Sequence, residues 1–252
     1  MERLGEDWGP WYAALDRGFE RALGRIGSSE PVVVLFSGGV DSGLLAWELR
    51  GRAGTRLSTF GVVGSPDLEA GRQGAERLGI PWSASTATPK EVVDRARALD
   101  EWVGPLSPTE RAVETAFALA VEGAPPGVLV CGQGVDELFL GYAHFRPLDP
   151  EGTARRADAD LTHLVDVGWP REQEIARRLG RTVRAPYLDP AFVAAANAIP
   201  LPQRSVADPP KALFRGWAKR RGLPPEIALR PKRALQFGSG VDRLLRKRGP
   251  DR

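Results

Sequence analysis

Pro31-Val32-Val33-Val34-Leu35-Phe36-Ser37-Gly38-Gly39-Val40-Asp41-Ser42 is the stretch that decides the fold. Its first half is a continuous apolar run rich in β-branched residues, the pattern of a strand covered on both faces. Its second half is a glycine turn that opens a helix. Glycines let the backbone approach an anion and turn N–H groups toward it. The helix start adds partial positive charge, and Ser37 and Ser42 can donate hydroxyl hydrogen bonds. The turn lacks the Gly-Lys-Ser/Thr ending of a Walker loop, so γ-phosphate transfer does not follow from it.

Working outward, residues 10–26 read as an amphipathic helix (Trp11, Leu15, Phe19, Ala22, Leu23, Ile26) that ends near Gly27-Ser28-Ser29. Downstream, a helix is expected over 42–52, a strand over 56–63, a helix over 67–78 and a short strand over 80–84. Helices over 88–101 and 108–122 then lead into a strand at Gly127-Val128-Leu129-Val130-Cys131. Alternating strands and helices imply an α/β fold, a twisted parallel sheet with helices on both faces. Beyond about residue 153 the sequence is helical, Arg-rich and broken by prolines. The expected organisation is an N-terminal helix at 1–27, an α/β core at 28–145, and a helical part at 146–252.

Composition narrows the chemistry. Of 252 residues 42% are hydrophobic, enough for a buried core. No apolar run approaches the ~20 residues of a membrane span, and the start, MERLGEDWGPWY, lacks the regions of a signal peptide. A cytoplasmic protein without membrane partners is expected. The single cysteine, Cys131, excludes an intramolecular disulfide, and two histidines, His144 and His163, leave little for a zinc site. The net charge of +3 reads as a solvated surface. Arginine so dominates the cations that each lysine (Lys90, Lys211, Lys219, Lys232, Lys247) is informative.

A second constellation, Cys131-Gly132-Gln133-Gly134-Val135-Asp136-Glu137-Leu138-Phe139-Leu140-Gly141-Tyr142, follows the last core strand, where open parallel sheets bind ligands. Alone, its Asp-Glu pair also reads as a helix cap. Together the two motifs carry a resemblance. SGGVDS resembles the PP-loop of N-type ATP pyrophosphatases, and the second segment is similar to the SGEGxDELFGGY signature of the asparagine synthetase C-terminal domain. Thr59–Leu68, Arg184–Asp189 (R-x-P-F-L-D), Lys211–Arg215 (K-x-x-L-R) and Arg230–Gly240 (R-P-K with a glycine-rich stretch) match further family segments in the family's order.

The resemblance implies an AMP-forming ligase that adenylates a carboxylate and lets ammonia or another amine displace AMP. It implies ATP held by Leu35, Ser37, Gly38, Gly39, Asp41, Ser42, Val62, Cys131 and Gly132, with the Val62 backbone toward adenine. It implies Mg²⁺ held by Asp41 and Asp136. Lys232, Glu137 and Gln133 become the catalytic candidates, with Lys232 the ammonium that stabilises developing charge. Lys211 and Arg215 read as structural or phosphate-proximal.

Three departures qualify this. Gln133 stands where the family has Glu, and an amide cannot act as a carboxylate base. Cys131 replaces a Ser and reads as a small buried residue. The family's N-terminal glutaminase, whose nucleophile is the cysteine after the initiator Met, has no counterpart at Glu2, so ammonia is expected free or from a separate glutaminase subunit. Two alternatives stay open: a PP-loop tRNA-modifying enzyme that adenylates a base, and a nucleotide-binding regulatory protein without turnover. The basic end RLLRKRGPDR reads as a solvated helix terminus, with RNA contact as the sharper alternative.

Overall fold

The computed structural model describes residues 9–27, 30–204, 209–231 and 234–248. In chain order the elements are α1 (Gly9–Gly24), β1 (Val32–Leu35), α2 (Val40–Leu49), β2 (Arg56–Phe60), α3 (Pro66–Leu78), β3 (Trp82–Ser85), α4 (Pro89–Val103), α5 (Pro108–Gly123) and β4 (Val128–Val130). There follow α6 (Val135–Leu138), α7 (Pro150–His163), α8 (Trp169–Arg178), β5 (Val183–Arg184), α9 (Pro190–Asn197), α10 (Leu201–Arg204), α11 (Ala212–Arg220), α12 (Pro225–Ala228), α13 (Leu235–Gly238) and α14 (Val241–Arg248). Both α4 and α5 begin with Pro at the first helical position and a reciprocal Thr88–Glu91 or Ser107–Glu110 capping box, which fixes their starts.

The five strands pair in the order β3-β2-β1-β4-β5, all parallel. Successive residues of β1 point to opposite faces and find a core on each. Val32 and Val34 join Leu15, Leu44, Phe139 and Trp217 on one side, while Val33 joins Leu99, Phe117, Leu129 and Ile175 on the other. The chain runs from β1 toward β3 in one direction and from β4 toward β5 in the other. The crevice for a ligand therefore lies at the carboxyl ends of β1 and β4. Val34 registers with Val130, so the turns after the two strands leave the sheet at the same level.

The segment expected to be mostly helical also contributes β5, whose carbonyl at Arg184 accepts from the Cys131 N–H at 2.9 Å. Its residues also fill the main core. Phe19 of α1 stacks on Tyr187 at 5.3 Å and meets Trp217 of α11 edge-on at 5.3 Å, while Phe139 and Phe214 lie 5.0 Å apart. Such pairs contribute about 0.5–1.5 kcal/mol each beyond their buried area. The Tyr187 hydroxyl donates to the Asp41 carbonyl at 2.9 Å, so this aromatic cluster is tied to the glycine turn.

A π-turn at Leu164–Gly168 joins α7 to α8. Pro170, with no N–H to give, sits just after it, where a widened turn tolerates the missing bond. Among the described residues no helix is long and apolar enough to cross a membrane.

Candidate active site

The glycine turn after β1 is braced from within. Ser37 N–H donates to Ser42 Oγ at 3.2 Å, the two hydroxyl oxygens lie 3.3 Å apart, and Gly39 N–H reaches Ser37 Oγ at 3.4 Å. No side chain caps α2, so its first-turn N–H groups beside Asp41 are left available to an anion. Arg230 holds the turn from outside by donating to the Ser37 carbonyl at 2.5 Å.

Asp41 and Asp136 converge on one cation. Lys211 Nζ lies 2.8 and 2.6 Å from the two Asp41 oxygens and 2.8 Å from Asp136 Oδ1. Lys211 is 1% exposed. Burial alone would lower its pKa, but Asp136 and Asp41 outweigh burial and hold the ammonium above the ordinary lysine range.

The backbone around this pair is unusual. The two non-glycine residues with positive φ among those described are Leu140 (φ 53°) and Lys211 (φ 63°), and both flank the carboxylates. A Cβ on Gly141 would stand 1.9 Å from Asp136 Oδ1 and 3.1 Å from Lys211 Cδ, so only glycine permits this approach. Arg215, 2% exposed, donates to the carbonyls of Pro210, Ala228 and Arg230. It thereby ties the Lys211 turn to the segment that leads toward residue 232.

One cavity of about 620 Å³ gathers most of the expected residues: Leu35, Ser37, Gly39, Asp41 and Ser42 from the first motif, and Cys131, Gly132, Gln133, Asp136 and Glu137 from the second. Gly38 is turned to the rear instead, with φ 73° and its Cα against the Ala70 carbonyl and Arg230. The Val62 backbone, expected toward adenine, is bonded within the chain. Val62 is outside the cavity lining, its N–H donates to the Ser239 carbonyl and its own carbonyl accepts from Ser65 N–H, both at 2.8 Å. Gly61 still donates to the Ser85 carbonyl of β3 at 3.1 Å, and Val62 then turns to Ser239, just after α13. Lys232 lies outside the described residues. Cys131 is buried, as its sequence context suggested, and burial pushes its thiol up, away from reactivity.

The far end of the cavity was not anticipated. Gln133 donates through Nε2 to Glu172 Oε1, and Glu114 lines the same space. Glu114 and Glu172 are 4% and 2% exposed. Burial raises the Glu114 pKa to about 7, with Arg171 opposing and Glu110 adding to the rise. Burial and repulsion from Glu114 drive Glu172 well above the carboxylate range, against the bond from Gln133. Glu137 accepts from the Tyr142 hydroxyl at 2.6 Å. Glu114 had a visible signal, a carboxylate inside the otherwise apolar face Ala112, Thr115, Ala116, Phe117, Leu119. Glu172, within an Arg- and Glu-rich helix, had none.

An uncapped helix start beside a glycine turn, with two carboxylates at the switch point of a parallel sheet, defines an α/β domain of the PP-loop class. The chain belongs to the asparagine synthase family, whose model matches residues 14–165 and 159–248. Among relatives, the glutamine-hydrolysing asparagine synthetase of Triphysaria versicolor is 30% identical over 247 residues, 88% of this chain and 42% of that protein. A glutamine-hydrolysing asparagine synthetase of Arabidopsis thaliana is 30% identical over 256 residues, 90% of this chain and 43% of that protein. The chain thus spans less than half the length of these relatives. A predicted subunit of a tRNA methyltransferase from Methanocaldococcus jannaschii superposes with a TM-score of 0.37 at 18% identity, over 81% of this chain and 94% of that one, and carries no argument at that score.

Proposed function

We propose that this chain is an ATP-dependent, AMP-forming ligase. A substrate carboxylate oxygen attacks the α-phosphorus of ATP and pyrophosphate leaves. The nitrogen of ammonia or another amine then attacks the acyl carbon, and AMP leaves. The observation that carries this reading is the convergence of Asp41 and Asp136 on one positive charge beside an uncapped helix start.

Two acceptor-only carboxylates that meet at a single point fit Mg²⁺, a hard ion that binds through one or two carboxylates and completes its shell with phosphate oxygens and water. When bound, the ion would neutralise phosphate charge. Lys211 would then give up its present place between the carboxylates and turn its ammonium to phosphate oxygens. The N–H groups of the glycine turn and the hydroxyls of Ser37 and Ser42 would hold the leaving pyrophosphate. Lys232 would stabilise charge on oxygen during both steps, with Arg215 and Arg230 fixing the approach of its segment. Gln133 acts here as a holder of Glu172, and Glu137 as the anchor of Tyr142.

The test is pyrophosphate release from ATP and Mg²⁺ with amino acids, ammonium and bulk tRNA as separate variables. Release that depends on a carboxylate and an amine is the expected result. Dependence on tRNA alone would replace the ligase with a base-adenylating enzyme. Nucleotide binding without release under any condition would leave a regulatory binding protein.

A further inference from the structure

Glu114 and Glu172 come from different elements, α5 and α8, and line one end of the cavity while both remain almost completely buried. Each keeps one carboxylate oxygen, Oε2, buried and without a hydrogen-bond partner. Orphaned buried acceptors are uncommon because leaving them unmade costs stability, so a pair of them on one cavity wall calls for a ligand.

The neighbouring cations are already committed. Arg171 lies 3.0 Å from Glu110 and reaches Glu114 Oε1 only at 3.4 Å. Arg156 is paired with Asp160 at 2.8 Å. Among the described residues Glu172 has the amide of Gln133 as its partner and no ion pair of its own. Two acids thus share part of one arginine.

We propose that this end of the cavity is a subsite for an organic cation, the side-chain ammonium or guanidinium of a basic substrate, seated between Glu114 and Glu172. The proposal rests on the reading of the cavity as the ligase's acceptor site and names the substrate class it selects. A guanidinium offers five donors in a planar fork and an ammonium three donors, and neither accepts, so either would satisfy both orphaned oxygens at once. Burial supports the assignment. Both acids resist ionisation without a partner, and a cation in contact would reverse that. Gln133 is the positioning residue: from the turn after β4 its amide fixes Glu172, which sets the cation a fixed reach from the Asp41–Asp136 pair.

The experiment is calorimetric titration of the full chain, in the presence of ATP and Mg²⁺, with L-arginine, L-lysine, their neutral counterparts L-citrulline and L-norleucine, and L-aspartate. The same titrations are run on Glu172→Gln and Glu114→Gln. At least one basic amino acid is expected to bind tenfold or more tightly than its neutral counterpart, and each amide variant to lose most of that preference while still binding ATP. L-lysine preferred over L-arginine would assign an ammonium, and the reverse a guanidinium. Equal binding of basic and neutral partners, binding of aspartate alone, binding of none of the five, or a preference that survives both substitutions would overturn the subsite. Should one variant fail to bind ATP, the other is read in its place. The ligase reading fails separately: cation preference with no pyrophosphate release on any amine and carboxylate would keep the subsite and remove the ligase.

Discussion

Beneath the glycine turn, one buried ammonium meets two carboxylates; at the opposite end of the same cavity, two buried carboxylates share part of one guanidinium. Lys211 lies 2.6–2.8 Å from Asp41 and Asp136, and the two carboxylates hold its ammonium charged. Glu114 and Glu172 lack such a partner and are pushed toward their neutral forms. The difference shows which charge each end awaits. On the proposed reading the Asp41 end is complete until phosphates and a metal ion redistribute its charge, whereas the Glu172 end is incomplete in itself.

Removing the ammonium should break this contrast most severely. Lys211→Met leaves two carboxylates facing each other, each about a fifth to a quarter exposed. The expected loss is about 3 kcal/mol, near the lower end of what breaking a buried pair costs because water still reaches the acids. Urea denaturation should record it, and millimolar Mg²⁺ should restore part of the loss in the variant but little in the wild type. A variant as stable as wild type would make the Lys211 contacts incidental.

Lys232→Ala addresses the charge that, on the proposed reading, acts only during reaction. Pyrophosphate release should fall on the order of 10²–10³-fold while nucleotide affinity changes little. Both are measured on one preparation. A parallel fall in binding would make Lys232 a substrate-holding residue, and unchanged turnover would make it a surface one.

At the other end the comparison sharpens through pH. The Glu114 pKa is raised from 4.5 to about 7 in the folded chain. Its contribution is fully present below pH 4.5 and is lost as pH rises through 7, because the folded state binds the proton more tightly. The loss is about 3 kcal/mol. Glu114→Gln should therefore flatten the fall in stability between pH 5 and pH 8, raising the melting temperature at pH 8 and leaving it nearly unchanged at pH 5. An equally steep fall in the variant would refute the assignment.

The smallest effect concerns backbone strain. Leu140, with φ 53° and fully buried beside Phe145 and Ala157, occupies a conformation that costs a branched side chain roughly 1–2 kcal/mol. Leu140→Gly relieves that strain but removes about 2–3 kcal/mol of burial, for a net loss of about 1 kcal/mol. A gain in stability by chemical denaturation would show that strain dominates packing.

The strand-turn-helix unit at 31–49 was legible because its chemistry is local: a β-branched run, two glycines and an Asp within one segment. The parallel order followed from alternation alone. β5 was not legible, since two residues show no periodicity and their pairing is decided by β4. Lys211 was underestimated for a related reason. Its partners are 170 and 75 positions away, and a lysine read in its own segment looks like any other cation. The surroundings of Val62 were not legible because a strand-like run says nothing about where its last residues turn; Ser239 and Ser65, far and near in sequence, take its backbone groups.

Lys211 has a consequence for the order in which the protein is made. During synthesis Asp41 and Asp136 leave the ribosome well before the lysine that stands between them. For that interval a nascent chain that ends between Asp136 and Lys211 has both acids without the lysine that joins them in the finished fold. If a divalent ion binds the pair as proposed, it would bridge them in the lysine's absence, and translation in metal-poor medium should then delay completion of the sheet.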